Sequence, residues 1–249
     1  MKASYYLKSF SYLMLLILGS CEDPIAPESA LQSGDLVGKV ETFDEFGEPF
    51  EDHSNVDVTI EGTDPLITTI TDKEGNYLIT GLTTGTYNLI FTKTGHQTKK
   101  LFSFRFIGGE VTTYVQASIR LSQISRTVIK DLEVSVTKKN NPDPAKYDMV
   151  EVSHDISPPS TQQRPRQLTV FLSPKQDVSV YDYEYKLSLG ITSNTDIIRI
   201  NKLPPGATYY AIMYPIPALC NPYYDPVKDE YDYSCYGTPS KVISFKVPI

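Results

Sequence analysis

Hydrophobic and polar residues alternate along most of the chain beyond residue 33, in short runs that turn-forming residues separate. The alternation is clearest in the first half, at Val37, Val40, Val56, Val58 and Ile60. Short alternating runs bounded by Gly, Pro, Asn and Asp are typical of half-buried β-strands. We therefore predict strands in this region, and no amphipathic helix of useful length beyond the first twenty residues.

Two closely spaced turns lie in the middle of this region. The sequence from Thr71 to Tyr77 places Gly75 in a tight turn that needs the left-handed backbone conformation, with Tyr77 anchoring the next strand. A second turn lies between Gly81 and Gly85. The residues expected to point inward after it are Tyr87, Leu89 and Phe91. We expect 111–121 to form the closing strand.

Residues 123–249 contain a second set of strand-like segments. These are 129–137, 148–155, 167–172, 181–189 and 197–200. The composition agrees with a fold of strands. The chain has 18 Tyr, 18 Pro and no Trp, and Tyr, Thr, Val and Ile favour strands. Its 249 residues have room for two domains. We predict an all-β protein of two tandem β-sandwiches, with domains at 34–122 and 123–249.

The first 21 residues form a different kind of segment. Lys2 and Lys8 precede an apolar run, Phe10–Leu18, which is shorter than the about 20 residues that span a bilayer. The following Leu-Gly-Ser-Cys, ending at Cys21, resembles the lipobox of bacterial lipoproteins. This resemblance implies that residues 1–20 are a signal peptide, that Cys21 is acylated, and that 21–33 are a tether to the membrane.

Glu22 and Asp23 follow the expected lipidated cysteine directly. Acidic residues at this place resemble the surface-export signal of Bacteroidota lipoproteins. The resemblance implies a lipid anchor in the outer membrane with the body on the cell surface, and an anchor facing the periplasm is the alternative. The formal charge of −7 repels phosphate backbones, so we expect no nucleic-acid partner.

The other two cysteines are Cys220 and Cys235. An exported chain meets an oxidising compartment, which favours a disulfide between them. A metal site and a nucleophilic cysteine are the alternatives. Neither cysteine has a histidine nearby or belongs to a C-x-x-C pair, so we predict the disulfide.

Several short motifs in the first half of the chain occur in the order of a known family. They are Gly38–Val40, Gly47–Pro49, Val56–Val58, Thr71–Tyr77, Gly81–Tyr87 and Lys93–Gly95. Over residues 34–122 this pattern resembles the carboxypeptidase regulatory-like domain, a transthyretin-like sandwich of seven strands. Members of this family usually have an aromatic residue at the position that His96 occupies in this chain. The resemblance implies a non-catalytic folding and adhesion unit.

The last 50 residues are similar to the end of a fibronectin type III domain. Leu203-Pro-Pro-Gly is followed by Tyr209 and Tyr210, a strand, a loop and the closing strand at 242–248. The resemblance implies that Leu203 and Tyr209 form a tyrosine corner. An immunoglobulin-like sandwich of another family is the alternative for residues 123–249.

Eight of the eighteen tyrosines lie between residues 209 and 236, together with four acidic residues. A tyrosine offers a flat apolar face and a hydroxyl, which suits sugar rings and protein partners. We predict a binding surface within the disulfide loop, for a glycan or an envelope protein. Its candidate residues are Tyr223, Tyr224, Tyr231 and Tyr233. The alternative is that these side chains only cover the end of the sandwich.

Candidate catalytic and metal-binding residues are few. His53, His96 and His154 are far apart in sequence, and no phosphate-binding or dinucleotide-binding glycine motif is present. Asp72, Glu74 and Asn76 lack the spacing and the distal Glu of an EF-hand calcium loop, so we expect a solvated turn in which Asp72 caps backbone amides. Calcium at the acidic residues of the disulfide loop is a minor alternative. We predict no metal and no cofactor.

The expected function is therefore that of a non-enzymatic binding or structural lipoprotein of the cell envelope. The membrane, reached through the lipid, is the expected partner besides a glycan or an envelope protein. An accessory subunit of an outer-membrane transport or secretion complex is the alternative function. An extracellular hydrolase is the least favoured, because no catalytic set of residues is evident.

Overall fold

In a computed structural model, the chain is described at residues 32–138, 148–196, 198–200 and 203–249. The expected signal peptide, Cys21 and nearly all of the tether lie outside these residues. The described residues contain strands and turns but no helix, which confirms the all-β class. Accordingly, no helix that could cross a membrane occurs among them.

Eight strands belong to the first half of the described chain. They are β1 (Ser33–Phe43), β2 (Asp57–Ile60), β3 (Ile67–Ile70), β4 (Asn76–Thr83), β5 (Gly85–Thr92), β6 (Lys99–Phe106), β7 (Thr113–Tyr114) and β8 (Ile119–Ser122). One sheet has the order β4-β1-β7, with β8 also pairing with β1, and the other has the order β3-β2-β5-β6. β1 pairs antiparallel with β4 and parallel with β7 and β8.

The inward positions of these strands form one hydrophobic core. Alternation places Leu36 and Val40 of β1 and Leu89 and Phe91 of β5 in that core, where all four are fully buried. The predicted anchor, Tyr77, is buried with them, and its ring packs edge-on against Phe91 at 5.9 Å. The predicted closing strand begins later than expected, because Val111 is exposed and pairing with β1 starts only at Thr113.

The turn before β4 has the predicted conformation. Gly75 has a φ of +85°, and its carbonyl accepts a hydrogen bond from the amide of Val40 at 2.9 Å. The carboxylate of Asp72 accepts a hydrogen bond from the amide of Asn76 at 2.7 Å. Asp72 thus caps the backbone of the turn, which is the role expected for it in place of calcium binding.

Replacing Gly75 by alanine should destabilise the protein more than replacing Gly62. Both glycines have positive φ values, +85° and +78°, which cost a β-carbon about 1–2 kcal/mol. A β-carbon on Gly75 would also lie 2.0 Å from the carbonyl oxygen of Val40, whereas one on Gly62 meets nothing within 4 Å. Overpacking adds about 1–3 kcal/mol for Gly75→Ala alone. Equal urea midpoints for the two variants would contradict this account.

The second half of the described chain contains nine strands. They are β9 (Val128–Lys138), β10 (Asp148–Ser157), β11 (Arg166–Ser173), β12 (Tyr185–Ile191), β13 (Ile198–Ile200), β14 (Thr208–Ile216), β15 (Tyr223–Asp225), β16 (Glu230–Asp232) and β17 (Ile243–Lys246). A three-stranded sheet, β13-β10-β9, faces a four-stranded sheet, β12-β11-β14-β17, across a second hydrophobic core. The two sheets and the core between them form a β-sandwich, as predicted, and the fibronectin type III family of this domain stays a prediction.

Two local predictions for this sandwich have different outcomes. Leu203 and Tyr209 are both buried in the second core, and the tyrosine corner stays a prediction. The strand predicted at 181–189 begins only at Tyr185, because residues 177–184 form turns and bends after β11. Tyr181 and Tyr183 therefore lie outside the regular sheet.

The described residues from Gln32 to Ile249 form a single compact unit. A buried ion pair helps to join its two sandwiches: Arg166 Nη1 lies 3.1 Å from Glu45 Oε2, and the two side chains are only 7% and 12% exposed. The same oxygen of Glu45 accepts hydrogen bonds from the hydroxyl of Ser125 and the amide of Arg126, each at 3.0 Å. The guanidinium groups of Arg164 and Arg166 each lie 5.1 Å from the ring centre of Phe46.

Candidate ligand-binding surface

Cys220 and Cys235 form a disulfide, with their Cα atoms 5.4 Å apart, which confirms the predicted pairing. The bridge encloses the short hairpin made by β15 and β16, in which Tyr224 faces Tyr231 across the two strands. Residues 220–235 are called the disulfide hairpin below. The bridge joins the two ends of this hairpin to each other.

Replacing both Cys220 and Cys235 by serine should lower the free energy of unfolding by about 3 kcal/mol, the entropic value for closing a loop of this length. Urea denaturation of the oxidised protein and of the double variant measures the difference. Wild-type protein unfolded in excess dithiothreitol is the control, and it should match the variant. If the oxidised protein and the variant unfold at the same urea concentration, the bridge does not stabilise the fold.

One side of the disulfide hairpin packs against β6 of the first sandwich. The ring of Tyr223 lies 6.1 Å from the ring of Phe102, and the ammonium of Lys99 lies 5.3 Å from the centre of the Tyr223 ring. Lys99 also donates a hydrogen bond to the carbonyl of Asn221 at 3.0 Å. Burial, followed by the nearby charge of Asp232, raises the pKa of the Tyr223 hydroxyl. Tyr223 thus joins the two sandwiches and is not part of an exposed surface.

Polar contacts fix the hairpin at two further points. Asp225 is buried, and its carboxylate lies 3.6 Å from the ammonium of Lys100, which also pairs with Glu61 at 2.7 Å. The hydrogen bond to Glu61 is the main reason that the pKa of Lys100 is raised. Ser234 exchanges hydrogen bonds with the backbone of Thr98 at 3.2 and 3.3 Å. The hairpin is therefore held rigidly on one side.

The opposite side of the hairpin exposes two aromatic rings. Tyr224 and Tyr231 are both exposed, and their ring centres lie 5.6 Å apart in an edge-to-face arrangement. The hydroxyl of Tyr224 is hydrogen-bonded to the carboxylate of Asp229. This bond is the main reason that the pKa of Tyr224 is raised.

The aromatic surface continues onto the second sandwich. Tyr233, which is half-buried, lies 6.3 Å from Tyr231 and 5.5 Å from Tyr181, measured between ring centres. Tyr181 is 62% exposed and belongs to the segment between β11 and β12, with Tyr183 two residues later. The tyrosine surface, as it is called below, consists of Tyr181, Tyr183, Tyr224, Tyr231 and Tyr233.

A buried phenylalanine supports this surface from below. Phe171 of β11 is fully buried, and its ring centre lies 4.8 Å from that of Tyr183, 5.7 Å from Tyr214 and 6.2 Å from Tyr236. The ammonium of Lys186 lies 5.6 Å from the ring centre of Phe171 and 6.0 Å from that of Tyr233. The exposed rings thus rest on an ordered aromatic layer, which limits the entropy they lose on binding.

The hydroxyl groups of Tyr181 and Tyr233 are hydrogen-bond donors at neutral pH. Burial is the first cause of the raised pKa of Tyr181 and Tyr233, and the acidic residues Glu230 and Asp232 raise the pKa of Tyr181 further. Exposed carboxylates such as Asp229 and Glu230 supply acceptors beside these donors. The surface offers flat apolar faces, donors and acceptors together.

Three of the four candidate tyrosines, Tyr224, Tyr231 and Tyr233, share this surface, whereas Tyr223 lies at the contact between the sandwiches. Sequence reasoning missed Tyr181 and Tyr183. The alternation of Tyr and acid in Tyr181-Asp-Tyr-Glu-Tyr185 was the available signal, but it also fits a strand. Only the fold shows that these residues meet the disulfide hairpin.

The three histidines do not form a site in the described part of the chain. His53 Nδ1 accepts a hydrogen bond from the amide of Thr42 at 3.0 Å, His96 packs beside Phe50 at 5.8 Å, and His154 is buried. No group of three or more His, Cys, Asp or Glu side chains in the described residues has an arrangement suited to a metal ion.

Comparisons with known proteins give only distant similarities. No family model matches the chain, and no curated protein matches it, so the carboxypeptidase regulatory-like assignment stays a prediction. A mutant type II cohesin–X-dockerin complex from Acetivibrio cellulolyticus is 18% identical, with a TM-score of 0.29, over 36% of this chain. The match spans only 58% of that cohesin–dockerin chain.

Two other solved structures match over more of the chain. A DUF3823 family protein from Parabacteroides merdae is 15% identical, with a TM-score of 0.29, over 87% of this chain and all of that one. The FN1–FN3 domains of chicken CNTN1 are 13% identical, with a TM-score of 0.34, over 88% of this chain and 69% of that one. Similarities at this level do not indicate a function.

Proposed function

We propose that this protein is a lipid-anchored, non-enzymatic binding protein of the bacterial cell envelope, and that the tyrosine surface binds a glycan. The observation that carries the proposal is the exposure of aromatic rings on a hairpin that a disulfide, an ion-pair cluster and a buried aromatic layer hold in place. A preorganised surface loses little entropy on binding. Such a surface is poorly suited to being only a cover for a sandwich end.

The chemistry of the tyrosine surface favours a neutral polyhydroxylated ligand. The faces of Tyr181 and Tyr231, 62% and 53% exposed, can pack against the C–H faces of sugar rings. The carboxylates of Asp229 and Glu230 can accept hydrogen bonds from sugar hydroxyls, but they would repel a phosphate or sulfate group. A glycan without anionic groups therefore fits better than a nucleic acid or a polyanion.

The proposed location rests on the N-terminal sequence. The Leu-Gly-Ser-Cys motif ending at Cys21 supports acylation, and Glu22 and Asp23 support export to the cell surface. Several acyl chains give a stable anchor where one would be marginal. The tether would then hold the body at the membrane, where extracellular glycans are available to it.

A binding experiment with soluble protein tests the glycan proposal. A glycan array probed with the chain lacking residues 1–21 should identify a neutral oligosaccharide, and Tyr224→Ala with Tyr231→Ala should weaken its binding at least tenfold, about 1.4 kcal/mol. Tyr114→Ala is the matched control, because Tyr114 is exposed but lies on β7, away from the tyrosine surface. Unchanged affinity of the double variant would refute the assignment of the surface.

An accessory subunit of an outer-membrane transport or secretion complex is the second candidate. Val227, at the turn of the disulfide hairpin, is largely exposed beside tyrosines, which are enriched at protein interfaces. Crosslinking on intact cells followed by mass spectrometry distinguishes the two. A crosslink from the hairpin to one envelope protein, lost in Val227→Asp, would favour the complex, whereas crosslinks that do not depend on Val227 would count against it.

A further inference from the structure

Exposed apolar side chains cluster where β6 passes into β7. Ile107, Val111 and Tyr114 are 63%, 82% and 68% exposed. These three residues are called the apolar loop below. The intervening residues include two glycines and one charged residue, Glu110. Because apolar residues at this level of exposure contribute nothing to the core, the loop needs another explanation.

The apolar loop lies beside the first described residues of the chain. The amide of Gly109 donates a hydrogen bond to the carbonyl of Ser33 at 3.2 Å. The amide of Thr84 donates one to the carbonyl of Gln32 at 2.7 Å. A β-carbon on Gly108 would lie 2.5 Å from the same carbonyl oxygen of Gln32, so the backbones are in close contact. The loop therefore flanks the point where the chain enters the body.

The length of the tether limits how far this point can be from the lipid. Gln32 lies eleven positions after Cys21 in the sequence. Fully extended, this segment reaches at most about 40 Å. With Cys21 acylated, the end of the body that carries Gln32 cannot lie farther than this from the membrane surface, and the apolar loop belongs to that end.

Strand β6 separates this end of the body from the contacts that the disulfide hairpin makes with β6. The disulfide hairpin contacts Lys99 and Lys100 at the start of β6, whereas Ile107 directly follows its last residue, Phe106. Eight residues of a strand cover about 26 Å. The apolar loop and the contacts of the hairpin thus lie at opposite ends of one strand.

We infer that the apolar loop inserts Ile107 and Val111 into the lipid surface, with Tyr114 at the level of the head groups, and so orients the body on the membrane. The inference rests on the acylation of Cys21 that the proposed function includes. Aliphatic side chains bind a bilayer interface by burying apolar area, and Tyr is favoured at the boundary with water. Because Glu110 is the only charge between the apolar residues, the contact does not depend on anionic lipid.

The absence of Trp from the chain allows a direct test. Val111→Trp places a single indole in the apolar loop, and Val227→Trp places one in the disulfide hairpin as the matched control. The full-length acylated proteins are reconstituted on phosphatidylcholine vesicles with and without brominated acyl chains. We expect the indole emission of Val111→Trp to shift to the blue and to lose at least half its intensity with brominated lipid, while that of Val227→Trp changes little.

Three outcomes of this experiment would contradict the inference. If mass spectrometry shows acylated Cys21 but the two variants have the same emission and quenching, the inference is wrong although the anchor stands. If the emission of Val111→Trp shifts to the blue without quenching by bromine, another protein or a second copy covers the loop, and the inference is also wrong. If Cys21 carries no lipid, the proposed anchor fails and the inference fails with it. Ile107→Trp provides a second position should Val111→Trp fold poorly.

Discussion

Replacing Glu45 by alanine should lower the free energy of unfolding by about 3–5 kcal/mol, the usual cost of breaking a buried ion pair. The substitution leaves the buried guanidinium of Arg166 without its carboxylate, 3.1 Å away. It also removes the acceptor of the Ser125 hydroxyl and the Arg126 amide. The loss is large because the two sandwiches meet at this carboxylate, so its removal leaves several unpaired groups on the second sandwich.

Chemical denaturation of Glu45→Ala and of Lys175→Ala separates this effect from general charge removal. Lys175 also forms an ion pair, at 2.7 Å from Asp182, but both side chains of this pair are well exposed. Exposed pairs contribute about 0–1 kcal/mol, so Lys175→Ala should unfold almost like the wild type. A double variant, Glu45→Leu with Arg166→Met, should recover part of the loss, because an apolar pair leaves no buried charge. Similar destabilisation by Glu45→Ala and Lys175→Ala would refute this explanation.

Replacing Phe171 by alanine should cost about 3–5 kcal/mol and should also weaken ligand binding. The ring is fully buried and contacts Tyr183, Tyr214 and Tyr236, so its removal leaves a cavity directly below the tyrosine surface. The exposed rings then lose the support that fixes their positions. We expect binding to weaken even under conditions in which the variant is fully folded.

Phe171→Leu is the control for the stability effect, since volume-conserving core changes usually cost less than about 1.5 kcal/mol. Tyr181→Ala is the control for binding, because its side chain is largely exposed and its loss should affect affinity more than stability. Urea unfolding and titration with the oligosaccharide found on the array measure the two effects. A stable Phe171→Ala variant with wild-type affinity would show that the aromatic layer has no supporting role.

Local patterns in the sequence predicted the strands, the turn and the disulfide well. Gly75 and Tyr77 were identifiable because a left-handed turn and a following core residue are both determined by neighbours in sequence. The pairing of Cys220 with Cys235 followed from counting cysteines in a chain that the sequence predicts to be exported. Each of these features depends on chemistry within about 15 residues.

The features that define the site depend on distant contacts and were not predictable. Tyr223 looked equivalent to Tyr224, but strand alternation turns one ring toward β6 and the other toward solvent. Tyr181 meets Tyr233 across 52 positions of sequence, and Glu45 meets Arg166 across 121. Nothing in the local pattern specifies such pairs, because the first depends on packing within the second sandwich and the other on how the two sandwiches pack against each other.

The position of β1 within its sheet determines how the protein carries mechanical load. β1 is the first strand after the tether, and it lies between β4 on one side and β7 and β8 on the other. With the lipid anchor and the glycan ligand proposed above, drag on the ligand would pull β1 along its own axis toward the membrane. The hydrogen bonds on both of its edges would then be loaded in shear and would have to break together, whereas an edge strand pulled from one end opens bond by bond. With the proposed anchor and ligand, the fold would place a strand that is paired on both edges between the membrane and the tyrosine surface.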